Sequence, residues 1–469
     1  MWHIIKNEWI GLHRNRAFLG LSTGFMMVLL LTVVLGTLQT HLQQRQYESA
    51  KNEVRQQWEN LNPMNPHGAA HYGTYVFKPN SLLGSLDEGV NGVTGKVLRV
   101  EGHVQNEIVH SEASQMQAVS KFGKLKSALL LQYILPLLLL FVAFRSVNSE
   151  KQSGRLKLLV LQGGQLQRLV WAKVLAVWLY GMALLLLTLV AYALASSSSI
   201  DANTALRVLF FFLSYGLFYF IISGLTVLLS TLGKNATIAL TTMLGIWILW
   251  TIFLPNILMS TVDQWHELPS REAFKTAMKA DRSKGIDGHN PSDERSKELK
   301  EQTLKKYGVE EVSQLPINFD GLRMQADEAY GNRVWDKHFG RLREILAHQK
   351  QDYQLAGVLN PFISLQNASM GFAGSDNYHH QEFLVRVELY RRDFIKTLND
   401  KHAYGGSTTG DWQWKVDQGF FKSVSDFVYQ PVRLSAVISH YFLDLVLLLA
   451  WSALVSLLLI FATRKMPLL

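Results

Sequence analysis

His67 and His71 stand four residues apart, the spacing at which two imidazoles on one helix face can share a metal ion. Glu101 and His103 could complete such a set. Against a regular helix there, Asn65-Pro66 precedes His67 and Tyr72-Gly73 opens a strand. The residues therefore read as buried, hydrogen-bonded histidines that stabilise a domain, and no metal is expected. His379 and His380 are adjacent, so on a helix they diverge by about 100° and do not chelate together. The stretch from Gly89 to Val97 approaches a phosphate-cradling loop, but its spacing is off by one and Val97 stands where a hydroxyl residue belongs. With no other nucleotide motif and no defensible set of nucleophile, base and orienter, an enzyme is not expected, nor is a cofactor. Asp444 sits about two turns inside an apolar run. A carboxylate there is a candidate functional residue, with solvation or pairing to a neighbouring helix as the plain alternative.

A second constellation runs from Arg145 to Lys173 and contains Glu150, Gly154, Leu156, Leu159, Val160, Gly163, Gly164 and Arg168. Leu156, Leu159 and Val160 can share one face of a short amphipathic helix, which Gly163-Gly164 would end. Such a segment is either a basic interfacial linker or a helix that docks into a partner.

The elements that position these groups are set by hydropathy. Six stretches reach the roughly 20 apolar residues that a bilayer core requires. They are residues 17–38, 128–144, three between 174 and 258, and 437–462. The first is too long for a signal-peptide core, and there is no small-x-small site after it before Gln39, so it reads as a retained anchor. Pro136 is expected to kink the second span. Ser214, Tyr215, Tyr219, Ser223 and Thr226 on the fourth suit helix packing. Cysteine is absent, which excludes disulfides, thiolate metal sites and a cysteine nucleophile.

Charge sets the orientation. The 469-residue chain carries a net charge of +9, yet residues 39–126 hold nine basic and eight acidic residues and residues 259–436 hold 24 and 25. The excess therefore lies in short segments flanking apolar runs, as the positive-inside rule describes, and nucleic-acid binding is not expected. Lys121, Lys124 and Lys126 sit on the external side against that trend; long translocated domains are weakly governed by charge.

The fold class expected is an α-helical membrane protein with six transmembrane helices, an α/β external domain and a mostly helical external domain. Its parts are a cytoplasmic interfacial helix (1–16), span 1 (17–38), the first external domain (39–127), span 2 (128–144), a cytoplasmic segment (145–173), spans 3–5 (174–258), the second external domain (259–436), span 6 (437–462) and a cytoplasmic tail (463–469). Trp2, Ile5, Trp9 and Leu12 form the apolar face of the interfacial helix. In the first external domain, Leu42–Leu61 reads as a polar helix, and Tyr75–Phe77 and Val97–Val100 as strands. In the second, Arg271–Tyr307 reads as solvated helix, while Phe383, Val387, Tyr390, Phe394 and Leu398 mark one apolar helix face.

The order of elements from Glu150 to Lys173 resembles the coupling segment of type-2 ABC exporter permeases. In that family an acidic residue, a glycine, a leucine-rich turn, a second break and a lysine precede the third span. The external motifs Asn65-Pro66-His67, Asp87-Glu88-Gly89, Asn360-Pro361-Phe362 and Asp376 to Phe383 resemble a bacterial branch with large external domains after spans one and five. The resemblance implies a permease subunit in which Glu150, Gly154, Leu156, Leu159, Gly163 and Lys173 couple to a partner ATPase, driving export of an unspecified substrate. It implies cytoplasmic ABC ATPase subunits, a second permease copy or sister permease, and membrane lipid as partners. A periplasmic partner could dock on the external domains. It also places the chain in the bacterial inner (cytoplasmic) membrane as a multi-pass protein with both termini cytoplasmic. The alternatives are ATP-driven mechanotransmission to a periplasmic partner without solute transport, and a membrane-anchored scaffold or receptor.

This topology is checked by single cysteines in the cysteine-free chain. Ser283→Cys or Ser114→Cys is expected to react with an impermeant maleimide in intact cells with a permeabilised outer membrane, and Ser153→Cys only after lysis. Labelling of Ser153→Cys in intact cells would reverse the orientation.

Overall fold

The computed structural model describes residues 1–105, 126–196, 201–286 and 292–465; Ser114, Lys121 and Lys124 lie outside them. Six helices are long and apolar enough to cross a membrane: Arg16–Glu59, Ser127–Gln152, Leu166–Ala195, Ala202–Leu232, Ala236–Trp265 and Leu434–Arg464, here spans 1 to 6. Span 1 does not stop at the membrane boundary. Nothing between Leu38 and Leu42 breaks a helix, so the expected anchor and the expected polar helix form one 44-residue element.

Span 4 is the centre of the bundle, buried along Phe211, Tyr215, Phe218, Tyr219 and Ile222. Small residues permit close approach: a Cβ on Gly224 would lie 2.4 Å from Val455 Cγ1 of span 6. Spans 2 and 5 each widen into a π-turn just ahead of a proline, at Leu130–Ile134 before Pro136 and at Leu249–Phe253 before Pro255. A proline cannot donate to the carbonyl four residues back and crowds it, and the wider turn relieves both problems. Carbonyls in each turn are met by a side chain: Tyr219 Oη donates to Leu131 O at 2.9 Å, and Asn360 Nδ2 to Trp250 O at 2.7 Å. Inside an apolar bundle these bonds replace water.

The two polar segments, expected as separate domains, are built around one core. Trp58, Ala69, Ala70, Val76, Leu98 and Val100 from the first share it with Phe383, Val387, Phe394, Leu398, Val416 and Phe421 from the second. The apolar stripe of helix Asn377–Tyr404 is thus covered by Trp58 at the end of span 1, whose ring centroid lies 4.8 Å from that of Phe394. The antiparallel strands β1 (Thr74–Phe77) and β2 (Val97–Val100) pair Thr74 with Val100 and Phe77 with Val97. Val416 N donates to Met64 O at 3.0 Å, so main-chain bonds also join the segments.

Helix Pro361–Ala373 has almost every residue buried, wedged between spans 4 and 6 at the foot of this shared domain. Thirteen residues are too few to span a bilayer, and its apolar character fits a core helix instead.

Phe383→Ala is expected to cost about 3–5 kcal/mol and to raise hydrogen exchange in residues 74–77 and 387–398 together. A rise confined to 387–398 would mean that the two segments have independent cores.

Candidate functional site

The connection between spans 2 and 3 folds as helix Arg155–Leu161 between Gly154 (φ +72°) and Gly163 (φ +87°). Both glycines occupy the left-handed region, which a side chain would strain. Leu156 points into the bundle core. Leu158, Leu159 and Leu161 point outwards, with 59%, 41% and 74% of their surface exposed. The face expected from Leu156, Leu159 and Val160 is therefore divided, because the inner leucine anchors the helix while its neighbours present an apolar surface.

Lys173 is buried at the start of span 3, where Nζ lies 2.5 Å from Glu8 Oε1 and 2.8 Å from Glu150 Oε1. One cation thereby ties the amino-terminal helix Trp2–Arg14 and the short helix Asn148–Gln152 to span 3. Ile5 against Ala172 and Ala176, and Trp9 Nε1 donating to Ala176 O at 2.9 Å, seat the amino-terminal helix. The N–H groups of Val147 and Asn148 both donate to Ser230 Oγ at 3.2 Å, and Lys151 donates to Thr231 O, so the connection is also held to span 4. Sequence reasoning did not single out Glu8; the available signal was that it is the one acid among residues 1–18.

At the other end of the bundle, Asp444 is fully buried and accepts from Gln354 Nε2 at 2.5 Å and Asn367 Nδ2 at 3.1 Å. It is paired rather than solvated. Beside it lies a network that sequence reasoning missed. Ser369 Oγ donates to Asp87 Oδ2 at 2.5 Å and lies 2.9 Å from Tyr215 Oη, while Gln132 Nε2 reaches Tyr215 Oη at 3.1 Å and Ser369 Oγ at 3.2 Å. Burial pushes the Asp87 carboxyl above the usual carboxylate range, although the bonds from Ser369, Gly89 N–H and Gln132 oppose it. Arg207 is also buried: Nη2 donates to Val432 O at 2.7 Å, and Nη1 lies 3.4 Å from His379 Nε2, whose Nδ1 meets the Asp376 carboxylate.

In the shared domain, Asn65-Pro66 starts a helix rather than breaking one. Asn65 accepts from His67 N–H at 2.9 Å as the N-cap, and Pro66 takes the first helical position, where its missing N–H is harmless. The regular helix Pro66–Tyr72 then sets His67 and His71 on one face, with their Nε2 atoms 3.1 Å apart. His103 joins them, and the ligand atoms of the three lie within 4.8 Å of one another. Glu101 is not part of the group and pairs with Arg99 at 2.9 Å. Burial, reinforced by His71, His103 and His402, lowers the pKa of His67 to about 4. Glu328 bonds His103 Nδ1 at 3.0 Å and Arg391 Nη1 at 3.0 Å. Burial would raise the Glu328 pKa, but these partners outweigh it and bring it down to about 2. Lys96, the cation of the loop that approached a phosphate cradle, is buried and donates to Gln43 at 3.2 Å and Asn80 at 3.1 Å.

Residues 2–284 match the sequence pattern described as ABC-2 family transporter protein, and residues 271–430 match a domain of unknown function (DUF3526). No curated protein and no solved structure matches the chain.

Lys173→Met leaves Glu8 and Glu150 without their cation. Because both carboxylates keep some solvent, the expected cost is about 2 kcal/mol, below that of breaking a fully enclosed pair. Hydrogen exchange across residues 2–14 should rise; unchanged exchange would mean that the apolar contacts of Ile5 and Trp9 suffice.

Proposed function

The chain belongs to the ABC-2 transporter family and is a multi-pass membrane subunit of an ABC transporter, and from that premise we propose that it is an exporter permease whose segment 145–164 docks into a cytoplasmic ATPase. The observation that carries this is helix Arg155–Leu161, which presents Leu158, Leu159 and Leu161 outwards while Leu156 and the glycines at either end fix its direction. An apolar helix face held this way suits a groove on a partner. Lys173 and Glu150 serve the coupling from behind: they hold the short helix Asn148–Gln152, which leads into the docking helix, to span 3 and the amino-terminal helix, so force on the segment reaches both. ATP binding and hydrolysis in the partner would then tilt the spans, two permease chains facing one another across the cargo path. This reading puts the chain in the bacterial inner membrane, both termini in the cytoplasm and the shared domain outside. Hydrolysis is assigned to the partner, and the permease itself to coupling.

A second reading has its own support. Helix Pro361–Ala373 joins the shared domain to the bundle through Asn367 and Asp444, and through Ser369, Tyr215 and Gln132. Movement of spans 4 and 6 would be handed directly to that domain, as mechanotransmission to a periplasmic partner requires. ATPase activity stimulated by a solute supports export, and activity stimulated only by a periplasmic protein supports mechanotransmission.

Leu159→Asp places a carboxylate in the proposed contact, where leaving it unpaired costs several kcal/mol. Membrane insertion should be unchanged while recovery of the ATPase in a detergent pull-down falls at least about tenfold, since roughly 1.4 kcal/mol already gives that factor. Recovery at the parental level would move the main contact elsewhere.

A further inference from the structure

We propose that His67, His71 and His103 bind one divalent transition-metal ion of the zinc class, and that Glu328 is the residue that positions His103 for it. The site does not depend on which side of the membrane the domain occupies or on how the ATPase docks.

Four nitrogen donors at about 2.0–2.1 Å around a tetrahedral ion sit about 3.3 Å from one another. His67 Nε2 and His71 Nε2 are 3.1 Å apart, close to one edge of such a tetrahedron. The third ligand atom lies within 4.8 Å of both, so sharing one ion requires the exposed His71 and its neighbour to move inwards towards His103. The ring centroid of His103 lies 5.5 Å from that of His67 and 5.3 Å from that of His71, so the three imidazoles are mutual neighbours.

The arrangement is also held in place. His103 has φ +64° and is the one non-glycine with positive φ among the described residues. A strained backbone of this kind persists where surrounding structure enforces it, and it clusters at functional sites. Here the enforcing group is Glu328, buried on helix Phe319–Leu355, which accepts from both the His103 main-chain N–H and Nδ1–H. That bond fixes the tautomer and leaves Nε2 as the electron-pair donor of His103. A carboxylate behind a ligating imidazole is the usual device for orienting it. Arg391 in turn bonds Glu328 at 3.0 Å and Glu388 at 2.9 Å, so the orienting carboxylate is itself oriented.

The donor set selects the ion. Three neutral imidazoles suit zinc and its borderline neighbours, and are poor ligands for magnesium or calcium, which take oxygen. Three protein ligands leave a fourth position for water or an exchangeable group, the pattern of an open site rather than of a closed structural one. The histidines come from the first polar segment and Glu328 from the second, so an ion would be bound across their junction.

The test uses the full-length protein in detergent, purified without a polyhistidine tag, stripped with chelator and titrated with Co²⁺ as a spectroscopic probe and then with Zn²⁺. The expected result is about one Co²⁺ per chain with ligand-field absorption of a four-coordinate site, displaced by Zn²⁺. His71 is exposed, so His71→Ala should keep the elution profile and melting temperature of the metal-free protein while losing the absorption and the melting shift caused by Zn²⁺. Glu328→Gln should retain the absorption and bind about 10–100-fold more weakly. His266→Ala, at the separate His266, His348 and Asp352 group, should bind as the parent does. Absence of the absorption in the parent, or its survival in His71→Ala, would overturn the assignment. So would its loss in His266→Ala.

Discussion

A polar side chain buried in an apolar bundle costs several kcal/mol unless a partner meets it, and the domain end of this bundle is organised by that constraint. Asp87, Gln132, Tyr215 and Ser369 come from a loop, span 2, span 4 and the wedge helix Pro361–Ala373, and their side chains meet one another. Asn367 with Asp444 and Asn360 with Trp250 O extend the same logic to spans 6 and 5. The wedge helix cannot leave without stranding buried groups on spans 2, 4 and 6, so it fastens the domain to the bundle.

The opposite end of the bundle uses one cation for the same purpose. Lys173 is buried where a lone ammonium would be strongly unfavourable, and two carboxylates from different helices neutralise it. The consequence is mechanical. The amino-terminal helix, the short helix Asn148–Gln152 and span 3 share this anchor, while the outward leucines of Arg155–Leu161 remain exposed. Between the two ends lies span 4, which packs against the spans and the wedge helix through glycine and hydroxyl positions that allow close approach.

The two polar segments are separated along the chain by spans 2 to 5, yet they complete a single core. Folding them together explains why a long amphipathic helix in the second segment needs Trp58 from the first. It also brings Glu328 behind His103, a pairing across 225 positions of sequence that no local pattern announces.

Spans, their number and the charge asymmetry of the loops were legible from sequence, because hydropathy over a bilayer's thickness and basic flanks are local properties. The short helix after Gly154 and its end at Gly163 were legible for the same reason, since a left-handed turn favours glycine wherever it occurs. Asn65-Pro66 misled, because the pair that often breaks a helix is also the pair that begins one, and the choice rests on the residues C-terminal to it. Which leucine faces inward, which acid meets Lys173, which groups close around Asp87 and whether three histidines converge were decided by tertiary structure. Each depends on residues brought together from distant parts of the chain, and a buried polar group is satisfied by whatever lies beside it in space, which no local pattern encodes.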